Sequence, residues 1–227
     1  MLDGPMDIVQ LIASCVIGYL LGALPFAQLV SRRVEGVDIY RTGTTLGGTA
    51  NVFWNVGRRS GLVVFAGDVG KGTAAVAVAW ALGVDAPLTL AAGAAAIIGH
   101  WASVFSSFKG GDGMTPLIGV SLALVPVLTA LAAVVGVGTV LLLRHHRLRS
   151  AWGICTGYLL MLGLGLAFDI EPLVSPGSEI ELVAGVTMMA GLVLIRSMIV
   201  RRRLDAVEPR TQREGHSDAA NSATESE

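Results

Sequence analysis

Six apolar stretches run through the chain, at residues 8–30, 61–82, 87–108, 113–143, 151–168 and 182–200, with more polar segments between them. Runs of this kind predict membrane-spanning helices, because about 20 apolar residues cross a bilayer core of about 30 Å. The fourth stretch is too long for a single crossing. As one helix its 31 residues would reach about 46 Å. Pro126 sits near its middle, where a proline breaks or kinks a helix. It is expected to form two elements, a short one before Pro126 and a longer one after it. The chain is therefore expected to be all-α and polytopic, with about seven transmembrane elements, two of them short or half-length.

The distribution of charge tests that count. With seven elements and the N-terminus outside, Arg32, Arg33, Arg41, Arg58, Arg59, Lys71, Lys109, Arg144, Arg147, Arg149, Arg196, Arg201, Arg202, Arg203, Arg210 and Arg213 all fall on the cytoplasmic side. These are all 16 basic residues of the chain, as the positive-inside bias of membrane proteins favours. The acidic residues Asp169, Glu171, Glu179 and Glu181 then fall outside. A six-span reading would put Arg144–Arg149 and the terminal arginines outside. The C-terminus is expected in the cytoplasm, with residues 1–203 as a transmembrane domain. Residues 204–227 lack apolar periodicity and are expected to be a disordered cytoplasmic tail. Arg201–Arg203 reads as an anchor at anionic headgroups.

Composition agrees: 53% of the residues are hydrophobic and 15% charged, with a mean hydropathy of +0.67, which excludes an ordinary soluble domain. A net charge of −1 gives no reason to expect a nucleic-acid partner. Cys15 and Cys155 lie far apart in apolar runs, so a disulfide is not expected and no metal-type spacing is present. Asp3 and Asp7 precede the first apolar run without a basic residue, which favours a retained span over a cleaved signal peptide.

Three polar patches converge on the expected cytoplasmic face. The first is "GVDIYRTGTTLGGTANVFWNVGRR", residues 36–59; the second is "GDVGKG", residues 67–72, expected at the start of the second span; the third is "SSFKGGDGMTP", residues 106–116, with His100 shortly before it. Glycine-rich backbone lets successive amides turn inward around an anion. A helix starting near Thr115–Pro116 would add free amides that favour phosphate. Asp68 and Lys71 stand three residues apart on one helix face, where they can form an ion pair, and ionisable groups in a membrane segment are usually functional. Taken alone, each patch also fits a bland reading: an interhelical turn, a structural ion pair, a packed histidine. Trp54, Trp101 and Trp152 read as an interfacial belt.

Together the patches resemble the bacterial acyl-phosphate:glycerol-3-phosphate acyltransferase family, small seven-helix inner-membrane enzymes with a cytoplasmic site. The likeness extends over most of the chain, but short motifs carry it. "GALPF", residues 22–26, matches the family's G-S-x-P-F with Ala23 for serine. "DIYRTGTTLGGTANV", residues 38–52, keeps Asp38, Arg41, Gly43, Gly48, Asn51 and Val52 of D-x-R-x-x-G-S-G-N-x-G-A-T-N-V. D-x-x-K-G is met by Asp68, Lys71 and Gly72; G-H-x-x-P-V-F-x-x-F-K-G-G-K-G is met by Gly99, His100, Val104, Phe105, Phe108, Lys109, Gly110, Gly111 and Gly113. The departures are Thr44, Thr45 and Leu46 in the G-S-G-N core, Gly48-Thr49-Ala50 for G-A-T, Asp112 for the second lysine, and Ser197 and Val200 in a C-terminal R-H-x-x-N that retains Arg196.

The resemblance implies transfer of a fatty acyl group from an acyl-phosphate to glycerol 3-phosphate, at the bacterial inner membrane and on its cytoplasmic side, without cofactor or metal. Membrane lipids are the expected surroundings. It implies Arg41, Thr44, His100 and Lys109 as catalytic residues. Gly43, Gly48, Asn51, Asp68, Lys71, Gly110, Gly111, Asp112 and Gly113 are implied for phosphate or substrate binding. Asp112 and Leu46 also fit an alternative, a non-catalytic or substrate-shifted paralogue that binds a lipid phosphate or partners a lipid enzyme. A small transporter fits less well, because no internal repeat is present and no charge is expected at mid-membrane.

Overall fold

The computed structural model describes residues 5–146, 149–168, 180–200 and 202. The elements are α1 (Pro5–Ala23), α2 (Phe26–Glu35), a 3₁₀ turn (Ile39–Arg41), α3 (Thr49–Asn55), α4 (Arg58–Ala81), α5 (Thr89–Trp101), a second 3₁₀ turn (Val104–Ser106), α6 (Met114–Leu124), α7 (Pro126–Leu142) and α8 (Arg149–Ala167), followed by α9 (Ile180–Val200). The protein is an all-α, polytopic membrane protein. Among the described residues four helical stretches are long and apolar enough to cross a membrane: Asp7–Glu35, which holds α1 and α2, then α4, α8 and α9; α5, α6 and α7 are apolar but shorter. The expected tail, residues 204–227, and Arg147, Asp169, Glu171, Glu179, Arg201 and Arg203 lie outside the described residues.

Two boundaries differ from expectation, and each difference has a local cause. The first apolar stretch is broken: α1 ends at Ala23 and α2 starts at Phe26, because Pro25 has no N–H to continue the ladder. The third stretch, expected as a crossing over 87–108, is helical only over Thr89–Trp101. Ala102 leaves the helix with φ −135° and ψ 76°, and Ser103 pairs with Lys109 in an isolated antiparallel bridge. The fourth stretch divides as expected, at Val125, with Pro126 in the first turn of α7.

Backbone-to-backbone contact between helices sets the packing. A methyl group on Gly22 would meet the Ala96 carbonyl, one on Gly99 the Tyr19 carbonyl, one on Gly72 the Pro116 carbonyl and one on Gly119 the Val69 carbonyl. Glycine thus seats α1 on α5 and α4 on α6, the close approach by which helices associate in lipid. The largest apolar core collects Val76, Leu117, Leu124, Met161, Val186 and Val193. Buried hydroxyls pair across helices there, Ser121 Oγ with Tyr158 Oη at 2.8 Å. Val134 and Leu142 point outward and are exposed, as a hydrocarbon solvent permits. The second unit, Ile195–Glu227, is helical at its described residues, 195–200 and 202.

Candidate active site

The site begins at the break between α1 and α2. A broken helix leaves carbonyls without their amide partners, and the fold supplies side chains to them. Ser103 Oγ donates to the Ala23 carbonyl. Lys71 Nζ donates to the Leu24 carbonyl at 3.2 Å. Tyr19 Oη reaches across to the Ala102 carbonyl at 2.9 Å, tying the C-terminal end of α5 to α1.

Beneath the break lies a buried polar cluster. Asp68 and Lys71 stand near the middle of α4, which starts at Arg58, rather than at the start of the span as expected. Lys71 Nζ is 2.8 Å from Asp68 Oδ1 and 2.8 Å from His100 Nδ1. Asp68, Lys71 and His100 are 1%, 4% and 5% exposed. The ammonium has three N–H donors and meets three acceptors: Asp68 Oδ1, the Leu24 carbonyl and His100 Nδ1. That match assigns His100 the tautomer with its proton on Nε2. The second oxygen, Asp68 Oδ2, is buried and has no hydrogen-bond partner among the described residues.

Two loops close over this cluster. The first, between α2 and α3, is shaped by Asn51, whose Nδ2 donates to the carbonyls of Ile39, Thr42 and Leu46. Its Oδ1 accepts from the Thr44 amide and from Asn55. Gln28 adds a buried bond from the Ile39 amide to its Oε1 at 3.0 Å. The second loop, between α5 and α6, docks on the first. The Gly47 amide donates to the Gly110 carbonyl at 3.0 Å, and the Gly111 amide to the His100 carbonyl at 3.0 Å. A side chain on Gly111 would strike the His100 imidazole and the Gly47 carbonyl; one on Gly110 would strike the His100 carbonyl. These glycines therefore allow a backbone clasp.

The acidic residue in the second loop has a definite place. Asp112 Oδ1 accepts from the Met114 amide at 3.1 Å, a side-chain turn that satisfies the first amide of α6. A carboxylate thus sits where the helix would favour a phosphate. The Asp112 carbonyl accepts from Trp101 Nε1 at 2.8 Å, so Trp101 is engaged with the loop, while Trp54 and Trp152 are exposed.

A small cavity, open to solvent, lies between break, floor and clasp, lined among others by Leu24, Phe26, Tyr40, Asp68, Lys71 and His100. Of the residues expected from sequence, Asp68, Lys71, His100 and Gly110 line it. Arg41, Gly43, Thr44 and Lys109 are exposed outside it, and Gly48, Gly111, Asp112 and Gly113 belong to the loops. Asn51 is spent on loop geometry, so it acts on the site through shape.

Tyr40 and Ser103 were not singled out, yet both line the cavity. Counting from Asp38 in D-x-R, the arginine position is filled by Tyr40, and Arg41 is displaced by one. Tyr40 Oη lies 3.4 Å from the Lys109 carbonyl, and the Lys109 ammonium stands 6.0 Å from its ring centroid. Burial pushes the Tyr40 hydroxyl above the ordinary tyrosine value, so it remains a neutral phenol at neutral pH. Ser103 stands where G-H-x-x-P carries proline, and its hydroxyl does the work at the Ala23 carbonyl. A one-residue offset and a lost proline were the signals for the two.

Comparison with known proteins places this geometry. The sequence model of the family described as glycerol-3-phosphate acyltransferase matches residues 12–207. A glycerol-3-phosphate acyltransferase of Exiguobacterium sibiricum is 39% identical over 120 residues, 53% of this chain and 58% of the relative. One of Trichlorobacter lovleyi is 35% identical over 181 residues, 78% of this chain and 85% of the relative. The matched segments span 58% and 53% of the first two curated relatives, the second being from Dehalococcoides mccartyi. The crystal structure of PlsY (YgiH), an integral membrane glycerol 3-phosphate acyltransferase in its glycerol 3-phosphate form, superimposes with a TM-score of 0.70 at 26% identity, covering 86% of this chain and 92% of that one. Its lysophosphatidic acid form gives a TM-score of 0.67. With a family match over residues 12–207 and a common fold, the chain belongs to the glycerol-3-phosphate acyltransferase family.

Proposed function

We propose that the protein transfers a fatty acyl group from an acyl-phosphate to glycerol 3-phosphate, or to a closely related phosphorylated acceptor, as a step of phospholipid synthesis. The observation that carries this reading is the clasp between Gly47 and Gly110 over a cavity floored by Asp68, Lys71 and His100. Two glycine loops of the kind that hold anions meet there beside exposed cations. The setting is a bacterial inner membrane, with the site on the cytoplasmic side. Among the described residues, four long apolar helical stretches and three shorter apolar helices support seven membrane elements; the N-terminus is placed outside and the C-terminus in the cytoplasm on the distribution of basic residues alone.

In this mechanism Lys109 and Arg41 hold phosphate oxygens at the rim, and the Thr44 hydroxyl and the amides of Gly110 and Gly113 add donors. Gly43 and Gly48 shape the first loop around them. The acceptor oxygen attacks the acyl carbon, the bond from that carbon to the phosphate oxygen breaks, and inorganic phosphate leaves carrying the proton. Donors preorganised around the carbonyl stabilise the oxyanion, and holding both substrates together supplies much of the rate. No acyl-enzyme is needed. His100 contributes by fixing Lys71 and the second loop.

The test is formation of lysophosphatidic acid from palmitoyl-phosphate and glycerol 3-phosphate by the purified protein, beside a Lys109→Ala variant. Product that falls about 100-fold in the variant supports the reading; no product from the folded wild type overturns it. Asp112 at the N-terminus of α6 favours a second reading, a paralogue shifted toward a less charged acceptor or toward binding without turnover.

A further inference from the structure

The floor of the cavity has one cation, and its bonding capacity is already used. Lys71 meets Asp68 Oδ1, the Leu24 carbonyl and His100 Nδ1, so the floor carries one negative and one positive charge that cancel. A phosphate moved onto it would lose its hydration without gaining a free donor from Lys71, which is costly for an anion. Asp68 Oδ2 has the opposite need. It is a buried carboxylate oxygen without a hydrogen-bond partner among the described residues, on a residue that lines the cavity. One neutral O–H donor would satisfy it, and a charge-assisted bond of that kind is among the stronger ones. The Tyr40 hydroxyl, which also lines the cavity, lies toward the Lys109 carbonyl.

We propose that the cavity seats the hydroxyl end of the acceptor, with Asp68 Oδ2 accepting the hydrogen bond of the reacting hydroxyl and the phosphate end left at the rim beside Lys109. This rests on the acyltransfer reading and gives the acceptor a direction. The hydroxyl oxygen forms the ester bond to the acyl carbon as the acyl–phosphate C–O bond breaks. Its proton passes to Asp68 and from there to the departing phosphate, which leaves Asp68 ionised and paired with Lys71 as before.

The experiment measures binding by the full chain in detergent of glycerol 3-phosphate, 3-hydroxypropyl phosphate, 2-hydroxypropyl phosphate and propyl phosphate. The two ligands with a terminal hydroxyl are expected to bind about tenfold more tightly than the two without it. In Asp68→Asn the amide keeps the size but turns a donor toward the hydroxyl. There the preference is expected to vanish while propyl phosphate binds as in the wild type, and ester formation to fall about 100-fold. Equal binding of all four ligands by the wild type overturns the proposal, with a water left as the partner of Asp68. A preference that survives in Asp68→Asn overturns it too, as does joint loss of propyl phosphate binding, which marks a purely structural aspartate. If Asp68→Asn does not fold, the wild-type ligand series decides. A wild type that shows the hydroxyl preference but forms no ester sinks the acyltransfer reading and leaves the pocket assignment standing.

Discussion

Asp68, Lys71 and His100 hold one another through side chains, whereas the two loops above them hold one another through backbone. The floor keeps the family pattern at every position, Asp68, Lys71 and Gly72 in α4, Gly99 and His100 in α5. The loops depart from it at Tyr40, Thr44, Thr45, Leu46, Ser103 and Asp112. A side-chain network in a low dielectric tolerates no missing member, since each lost partner strands another polar group. A backbone clasp tolerates new side chains wherever they point outward, and Thr44 and Thr45 are exposed. At Gly111, which faces inward, the glycine is retained. Tyr40 and Ser103, which line the cavity, are the departures that reach inward.

The strongest way to break the comparison is Lys71→Met. It leaves Asp68 buried and unpaired, a loss expected to cost about 3–5 kcal/mol and to abolish activity. Thermal unfolding in detergent checks it, and a variant as stable as the wild type would show that the floor is not a network. Gly111→Ala attacks the clasp instead. The new methyl collides with the imidazole and the Gly47 carbonyl, and a displacement of this order is expected to lower activity about 100-fold with circular dichroism unchanged.

Asp112→Lys sharpens the comparison at the rim. It removes the hydrogen bond to the Met114 amide and is expected to cost about 1 kcal/mol of stability, yet it lowers the KM for glycerol 3-phosphate about tenfold by adding a cation beside the loop. An unchanged KM would place the phosphate away from α6. The smallest effect is expected at Thr45, a β-branched residue with φ +57° where the family pattern has glycine. Thr45→Gly relieves that left-handed strain, worth about 1 kcal/mol, and the midpoint of thermal unfolding is expected to rise.

The membrane character of the chain and the break at Pro126 were legible because hydropathy and proline act locally. The pairing of Asp68 with Lys71 was legible too, from their i, i+3 spacing. The approach of His100 to that pair was not, because it depends on how α5 lies against α4. The end of α5 at Trp101 was hidden inside an apolar run, since Val104, Phe105 and Phe108 are exposed loop residues rather than helix. Pro25 offered the same signal as Pro126, but the stretch around it had the length of one ordinary crossing and gave no reason to divide it. The role of Asn51 could not be read from sequence, because its partners are carbonyls five to twelve residues away.

The broken first helix has a consequence for how the protein is made. α4 carries a lysine and an aspartate near the middle of its own length, and at the centre of a lone inserting helix each such residue adds about 2.5–3.5 kcal/mol. The Leu24 carbonyl that receives Lys71 is already synthesised when α4 leaves the ribosome, and His100 follows soon after. Pro25 therefore prepares an acceptor for a later segment, and Pro25→Ala, by healing the helix, is expected to lower the yield of inserted protein before it alters any catalytic constant.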